Sequence, residues 1–198
     1  MKTYRINEIF YSTQGEGLRA GTANHFVRFS KCNQKCTVET HGFECDTEYE
    51  SGLSKTAEQI SDVLFSQSED CRWVILTGGE PALQVDDELI QHLHDLSFKL
   101  AIETNGSIEL PHGLDWITVS PKFAEHTLKQ RTAHEVKYVR NVGQGIPETV
   151  VEADHYLLSP AFTEQGLDRA ALEHCIKLVK ENPKWRLSVQ QHKQWRVR

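Results

Sequence analysis

A chain of 198 residues has the length of one compact domain, and 38% hydrophobic with 25% charged residues suits a soluble protein able to bury a core without staples. The formal net charge of -6 argues against a nucleic-acid surface, which needs an excess of Lys and Arg. No apolar run approaches the roughly 18 to 20 residues of a membrane span, and none follows Met1-Lys2-Thr3-Tyr4-Arg5 as a secretory leader requires, so a cytoplasmic address is expected.

Phe26-Val27-Arg28-Phe29 is the first predicted strand. Thr56 and Gln59 then have the spacing of a capping box, and Ile60, Val63 and Leu64 follow at helical intervals. Trp73-Val74-Ile75-Leu76 predicts the next strand, and Val85, Leu89, Leu93 and Leu96 mark a second helix after Pro81. Leu100-Ala101-Ile102 and Trp116-Ile117-Thr118-Val119 are further strands. The dozen residues between Glu103 and Trp116 include Gly106, Pro111 and Gly113, so a full helix hardly fits between them. Val136-Lys137-Tyr138-Val139 and Tyr156-Leu157-Leu158 follow, then a helix over 167–180 with Pro183 beyond its end. Trp185-Arg186-Leu187-Ser188-Val189 closes the series. Short, nearly continuous apolar runs alternating with amphipathic helices predict an α/β fold with a parallel sheet and an abbreviated set of helices. No repeat, low-complexity tract or linker divides the chain, so residues 1–198 are expected to form a single domain.

Functional groups in parallel α/β folds collect at the carboxyl ends of the strands. Here those ends are Ser30-Lys31-Cys32, Thr77-Gly78-Gly79-Glu80-Pro81, Glu103-Thr104-Asn105-Gly106, Ser120-Pro121-Lys122 and Ser159-Pro160. Ordinary turns explain the Gly and Pro, but not the concentration of Thr, Ser, Glu and Asn. Three of five cysteines crowd into one loop, Cys32-x3-Cys36-x8-Cys45. In a reducing compartment this reads as metal ligation rather than cross-linking. Three thiolates hold three irons of a cubane and leave the fourth open to a bidentate ligand, such as the amino and carboxylate groups of S-adenosylmethionine. On spacing alone zinc stays open, with His41 as a candidate fourth ligand. Cys71 and Cys175 read as packing or surface thiols. In Gly78-Gly79-Glu80-Pro81 the glycines let backbone approach a ligand closely, Glu80 offers an acceptor to an ammonium, and Pro81 suits a first helical position. A plain strand-to-helix turn with a favourable carboxylate is the other reading of that segment.

The chain resembles the radical S-adenosylmethionine enzymes, and within them the 7-carboxy-7-deazaguanine synthases. The resemblance rests on Ile9-Phe10-Tyr11-Ser12-Thr13-Gln14-Gly15-Glu16-Gly17, on Phe26-Val27-Arg28-Phe29 leading to the cysteine loop, and on Cys45-Asp46-Thr47 at its end. Gly78-Gly79-Glu80-Pro81, Glu103-Thr104-Asn105-Gly106, Ser120-Pro121-Lys122 and Gln190-Gln191-His192-Lys193 extend it over nearly the whole chain. It implies a partial (β/α)6-type parallel barrel with reduced outer helices. It implies a 4Fe–4S cluster on Cys32, Cys36 and Cys45, S-adenosylmethionine as cofactor, and Mg2+ at Thr47. Gly78, Gly79 and Glu80, with Ser120, Pro121, Lys122, Ser159 and Pro160, would bind S-adenosylmethionine. Thr13, Gln14, Gly15, Glu16, Arg28, Thr77, His192 and Arg198 would bind a carboxylated tetrahydropterin, which loses ammonia to become 7-carboxy-7-deazaguanine. Arg28 would pair the substrate carboxylate in forked geometry, and the amide of Gln14 would read the pterin edge. An electron donor such as flavodoxin and a homodimeric state also follow from the resemblance.

Two features depart from the pattern. The superfamily's common spacing is Cys-x3-Cys-x2-Cys, whereas residues 37–44 separate the second and third cysteines here. Leu158-Ser159-Pro160 stands where Leu-Gln-Pro is expected. The competing readings are an activase that installs a glycyl radical on a partner protein and a non-catalytic metal-binding module.

Overall fold

The computed structural model describes residues 2–41, 43, 45, 47–163 and 166–197. β1 (Tyr4–Thr13) and β2 (Ala23–Phe29) form an antiparallel hairpin, followed by a single helical turn, α1 (Val38–His41), in the cysteine loop. β3 (Leu53–Lys55), α2 (Ala57–Gln67), β4 (Trp73–Gly78), α3 (Asp87–Asp95), β5 (Lys99–Thr104) and β6 (Trp116–Val119) come next. The chain continues with β7 (Thr132–Arg140), β8 (Glu152–Pro160), the short pair β9 (Phe162–Thr163) and β10 (Gly166–Leu167), α4 (Arg169–Glu181), β11 (Trp185–Leu187) and α5 (Gln191–Trp195). Nine strands form one sheet in the order β11-β8-β7-β6-β5-β4-β2-β1-β3. From β2 to β11 every neighbour is parallel; only β1 runs against its neighbours β2 and β3. This is the partial parallel barrel expected, and its outer helices are few.

The helical cover follows the apolar pattern. Val27, Phe29, Val74, Leu76, Leu100 and Ile102 turn outward and bury Ile60 and Leu64 of α2 and Leu89, Ile90 and Leu93 of α3. Leu64, Leu89 and Leu93 are completely buried, each worth about 1.5–3 kcal/mol of hydrophobic stabilisation. The predicted capping box holds: Thr56 accepts from Gln59 N, and the Gln59 side chain accepts from Thr56 N at 3.0 Å. Pro81 does not open α3. It begins a separate 3-10 turn, Pro81–Leu83, and α3 starts only after Asp86, whose carboxylate caps Leu89 N at 2.9 Å. The third predicted helix also begins late, because Leu167 belongs to β10 and Asp168 supplies the N-cap of α4. No α-helix occupies the connections between β5 and β6, β6 and β7, or β7 and β8.

Opposite side chains line the interior. Phe10, Phe26, Ile75 and Ala101, with Trp73 and Trp116, form an apolar floor, and the Phe10 and Phe26 rings stack 4.9 Å apart. One step further along the strands, the registers Glu8↔Arg28, Arg28↔Thr77, Glu103↔Thr118 and Thr118↔Glu135 set a polar row. Register partners on adjacent strands share a face, so this row looks into the barrel above the apolar floor.

Candidate active site

The cysteine loop begins where β2 ends. Lys31 takes a positive φ of 73° and turns the chain away from the sheet. Asn33 ties the loop down, donating to Ser107 Oγ at 2.8 Å and accepting from Asn105 Nδ2 at 2.9 Å. Cys45 N donates to the Cys36 carbonyl at 3.4 Å, which brings together the two ends of the eight-residue stretch between these cysteines. All three thiols are free; Cys45 is exposed, and Cys32 and Cys36 are half-buried. Burial pushes the Cys32 and Cys36 thiols up, and the nearby Lys122 charge opposes this at Cys36. Each also feels the charge of Cys45, so the three sulfurs lie within one another's field. Among the described residues, no three His, Cys, Asp or Glu side chains gather as a ligand set for one metal ion. A cubane spreads its three thiolates over three irons, and a set of three free thiols suits it. His41, the fourth ligand that zinc would need, has both nitrogens engaged by protein: Nδ1 with Thr40 Oγ1 at 2.6 Å, Nε2 with the Lys122 carbonyl at 3.0 Å. Asp46 lies outside the described residues.

The glycine-rich end of β4 packs closely on the start of the cysteine loop. Gly79 N donates to the Phe29 carbonyl at 3.0 Å, and Glu80 N to the Lys31 carbonyl at 2.9 Å. A Cβ on Gly78, whose φ is 128°, would run into the Phe29 backbone, and one on Gly79 would sit on the Lys31 carbonyl. The close backbone approach is therefore to the start of the cysteine loop, which crosses directly over the end of β4. Glu80 is 1% exposed and spends its oxygens on the protein, accepting from Ala82 N, Thr104 Oγ1 at 2.6 Å and Asn105 N at 2.7 Å. Burial raises its carboxyl against those three bonds. It clamps the ends of β4 and β5 beneath the cysteines. A carboxylate accepts about four bonds, and three are filled here.

Lys122 stands on the opposite rim, donating to Ser120 Oγ at 3.0 Å with Phe43 of the cysteine loop over its ammonium at 4.9 Å. Burial, and then the charge of Lys137, push it down to about 8. Ser159 is buried on β8, opposite Val139 of β7, and Pro160 ends β8. A cavity of about 340 Å³ opens here between His41, Phe43, Pro121, Lys122 and Arg140.

Inside the barrel, Gln14 donates to Glu103 Oε1 at 2.9 Å, and Thr77 Oγ1 donates to Glu103 Oε2 at 3.3 Å. Arg28 pairs Glu8 at 2.9 Å and reaches Thr47 Oγ1 at 3.4 Å, so two expected ligands meet at one point. The Arg28 ion pair is half-buried and follows from register, since Glu8 and Arg28 oppose each other in the hairpin. Thr13 ends β1, and Gly15 lies against His192. Glu16 is bonded to Lys137 and to Gln190. Arg198 lies outside the described residues. The sequence marked Glu103 only as part of a rim segment, gave Lys137 only as part of a strand and did not mark Glu135. Their signal is the alternation Glu135-Val136-Lys137-Tyr138, whose polar members are buried as well.

No protein-family model matches the chain. A protein from Bacteroides thetaiotaomicron named 7-carboxy-7-deazaguanine synthase is 42% identical over 96% of each chain. One of the same name from Bradyrhizobium diazoefficiens is 38% identical over 99% of this chain and all of its own length. The chain belongs to the 7-carboxy-7-deazaguanine synthase family. Its fold is also that of the crystal structure of QueE from Escherichia coli, with a TM-score of 0.72 over 94% of this chain and 93% of that one; at 24% identity this likeness speaks for the fold. As a 7-carboxy-7-deazaguanine synthase it is a radical S-adenosylmethionine enzyme with an iron–sulfur cofactor.

Proposed function

We propose that this chain, 1–198 acting as one catalytic domain, converts 6-carboxy-5,6,7,8-tetrahydropterin to 7-carboxy-7-deazaguanine with loss of ammonia, a carbon–nitrogen lyase step toward queuosine. The observation that carries this is the layering of free cysteines on the rim above a polar row of Arg28, Thr77, Glu103 and Gln14. Cys32, Cys36 and Cys45 would hold the cluster, and S-adenosylmethionine bound to it would supply the radical chemistry that the ring contraction needs. The last acceptor position of Glu80 receives the methionyl ammonium beside Gly79. Lys122 and Ser120 face the carboxylate or nucleoside, with Ser159 two strands away on β8.

The pterin edge alternates donors and acceptors, and Thr77 and Glu103 on adjacent strands, with Gln14 bonded to Glu103, present both. Arg28 keeps free guanidinium donors beside its Glu8 bond and turns them to the substrate carboxylate. Thr47, 3.4 Å from Arg28, would offer its hydroxyl to a magnesium ion, which would help to neutralise the substrate carboxylate. The apolar floor of Phe10, Phe26 and Ile75 excludes water beneath the ring. Supporting a cytoplasmic setting are the free thiols; among the described residues no helix is long and apolar enough to cross a membrane. A flavodoxin-like protein delivers the electron at the exposed Cys45 side, and a homodimer suits a barrel with so few outer helices.

The test is anaerobic reconstitution with iron and sulfide, then dithionite, S-adenosylmethionine and carboxytetrahydropterin, read by mass spectrometry. Carboxydeazaguanine with stoichiometric ammonia is expected. Deoxyadenosine without deazaguanine would overturn the substrate, and bound zinc without either would overturn the whole reading.

A further inference from the structure

Glu16 is the one carboxylate of the Gln14-Gly15-Glu16-Gly17 loop, and its surroundings are those of a fastening. The Lys137 ammonium holds Oε2, and Gln190 Nε2 donates to Oε1 at 2.8 Å. The side chains of the ion pair are only 15% and 10% exposed. Burial alone would raise the Glu16 carboxyl, but the Lys137 charge and the two hydrogen bonds bring it down to about 2. On either side the loop backbone grips the same C-terminal stretch: Gln191 N donates to the Gly15 carbonyl at 2.9 Å, and Gly17 N donates to Ser188 Oγ at 2.9 Å. Three successive loop residues therefore hold residues 188–191. A Cβ on Gly15 would strike the backbone and ring of His192, and one on Gly17, whose φ is 68°, would strike the Glu135 carboxylate. The C-terminal segment has little packing of its own, since α5 buries no residue and Trp195 and Val197 are exposed.

We propose that Glu16 and Lys137 are a positioning pair that docks the C-terminal segment onto the loop and so sets His192 at the pterin pocket; Glu16 is not a substrate ligand. The inference rests on the reading of the barrel interior as that pocket. A buried ion pair fixes one arrangement well because breaking it strands a charge in a dry interior. The fastening also reaches the reading groups, since Glu16 N donates to Gln14 Oε1 at 3.0 Å while Gln14 donates to Glu103. One bonded chain runs from Thr77 through Glu103, Gln14 and Glu16 to Lys137 and Gln190.

The experiment compares Glu16→Gln, Lys137→Met and Gln190→Ala in the full chain with two readouts. The first is trypsin cleavage after Lys193 and Arg196, followed by intact mass, which needs neither cofactor nor substrate. Loss of the charge-assisted bonds in Glu16→Gln or Lys137→Met should speed tail cleavage at least about tenfold, and Gln190→Ala about threefold. The second is turnover of the reconstituted enzyme, where the pterin KM should rise in the same order with kcat within about twofold. Unchanged cleavage in all three variants overturns the proposal. A raised KM with wild-type cleavage in Glu16→Gln also overturns it, because Glu16 would then be touching substrate. If Glu16→Gln and Lys137→Met do not fold, Gln190→Ala decides alone, since its amide lies in the tail. Faster tail cleavage in a protein that never turns over pterin would sink the pterin reading and leave the fastening standing.

Discussion

The half of the sheet from β2 to β5 and the half from β6 to β8 supply the same rim, but they are built by different means. In the first half, seventeen buried apolar residues unite the outer faces of β2, β4 and β5 with α2 and α3. In the second, eight buried residues gather around α4, and the connections around β6 carry no α-helix. The interiors are reversed in character. The first half carries most of the apolar floor, whereas the second buries Glu135, Lys137 and Ser159 in its strands and holds a half-buried Lys122 just beyond them. A dry, helix-backed frame thus suspends the cysteine loop, and a polar, loop-connected frame faces it. The difference separates two tasks: holding a cluster needs a fixed loop, and reading a polar ligand needs buried charge that hydrogen bonds keep in place.

The comparison breaks first if the cysteine loop does not depend on all three thiols. Cys32→Ala, Cys36→Ala and Cys45→Ala should each drop iron and acid-labile sulfide after anaerobic reconstitution to background and abolish product. Cys71→Ala and Cys175→Ala should keep both, because Cys71 sits in the loop before β4 and Cys175 is packed in α4. A full iron complement in any one of the first three variants would remove that residue from the ligand set.

A smaller effect separates the two frames directly. Leu93→Ala empties a fully buried site between helix and sheet and should cost about 3 kcal/mol in urea unfolding. Ile117→Ala, on the half-buried outer face of β6, should cost about 1 kcal/mol. Equal losses would mean that the loops pack as firmly as the helices do.

Acid should expose the second frame's dependence on charge. The Glu16 carboxyl is held at about 2 in the fold, below its ordinary value of 4.5. The unfolded chain therefore binds the proton first as pH falls. Its stabilisation is complete above about 4.5 and is lost between there and 2, amounting to up to about 3 kcal/mol. Glu16→Gln should be less stable than the parent at pH 7 and converge on it near pH 2 in thermal melts. A constant gap across that window would show that Glu16 contributes no charge-dependent stability.

The first frame was more legible than the second, for a physical reason. Continuous runs such as Trp73-Val74-Ile75-Leu76 mark strands covered on both faces, and all seven predicted strands are present. β1 went unread because Tyr4, Ile6 and Phe10 alternate with polar residues, and its end was taken as a motif rather than as a strand. The cysteines and the glycines could be found by spacing, but not the close packing of Gly78 and Gly79 against the backbone of Phe29 and Lys31. Glu135 and Lys137 were hidden because a charged residue in a strand ordinarily faces water. Only closure of the sheet makes that face an interior.

The smallest effect is the sharpest probe of how each frame ends. Thr56 caps α2 through a reciprocal box with Gln59, while Asp168 caps α4 by accepting from Ala170 N at 2.8 Å and Ala171 N at 3.0 Å. Either cap replaced by Ala should cost about 1 kcal/mol, with Asp168→Ala slightly worse because its charge also faces the helix dipole. The two losses should differ in reach. α2 is clamped by Ile60 and Leu64 in the larger core, so Thr56→Ala should raise amide exchange only in its first turn. α4 buries just Ala171 and Cys175 and leads straight into β11 and Ser188, so Asp168→Ala should raise exchange through α4, β11 and the C-terminal segment together. Exchange confined to the first turn of α4 would mean that the tail is held by Glu16 and Lys137 alone, independently of the helix that delivers it.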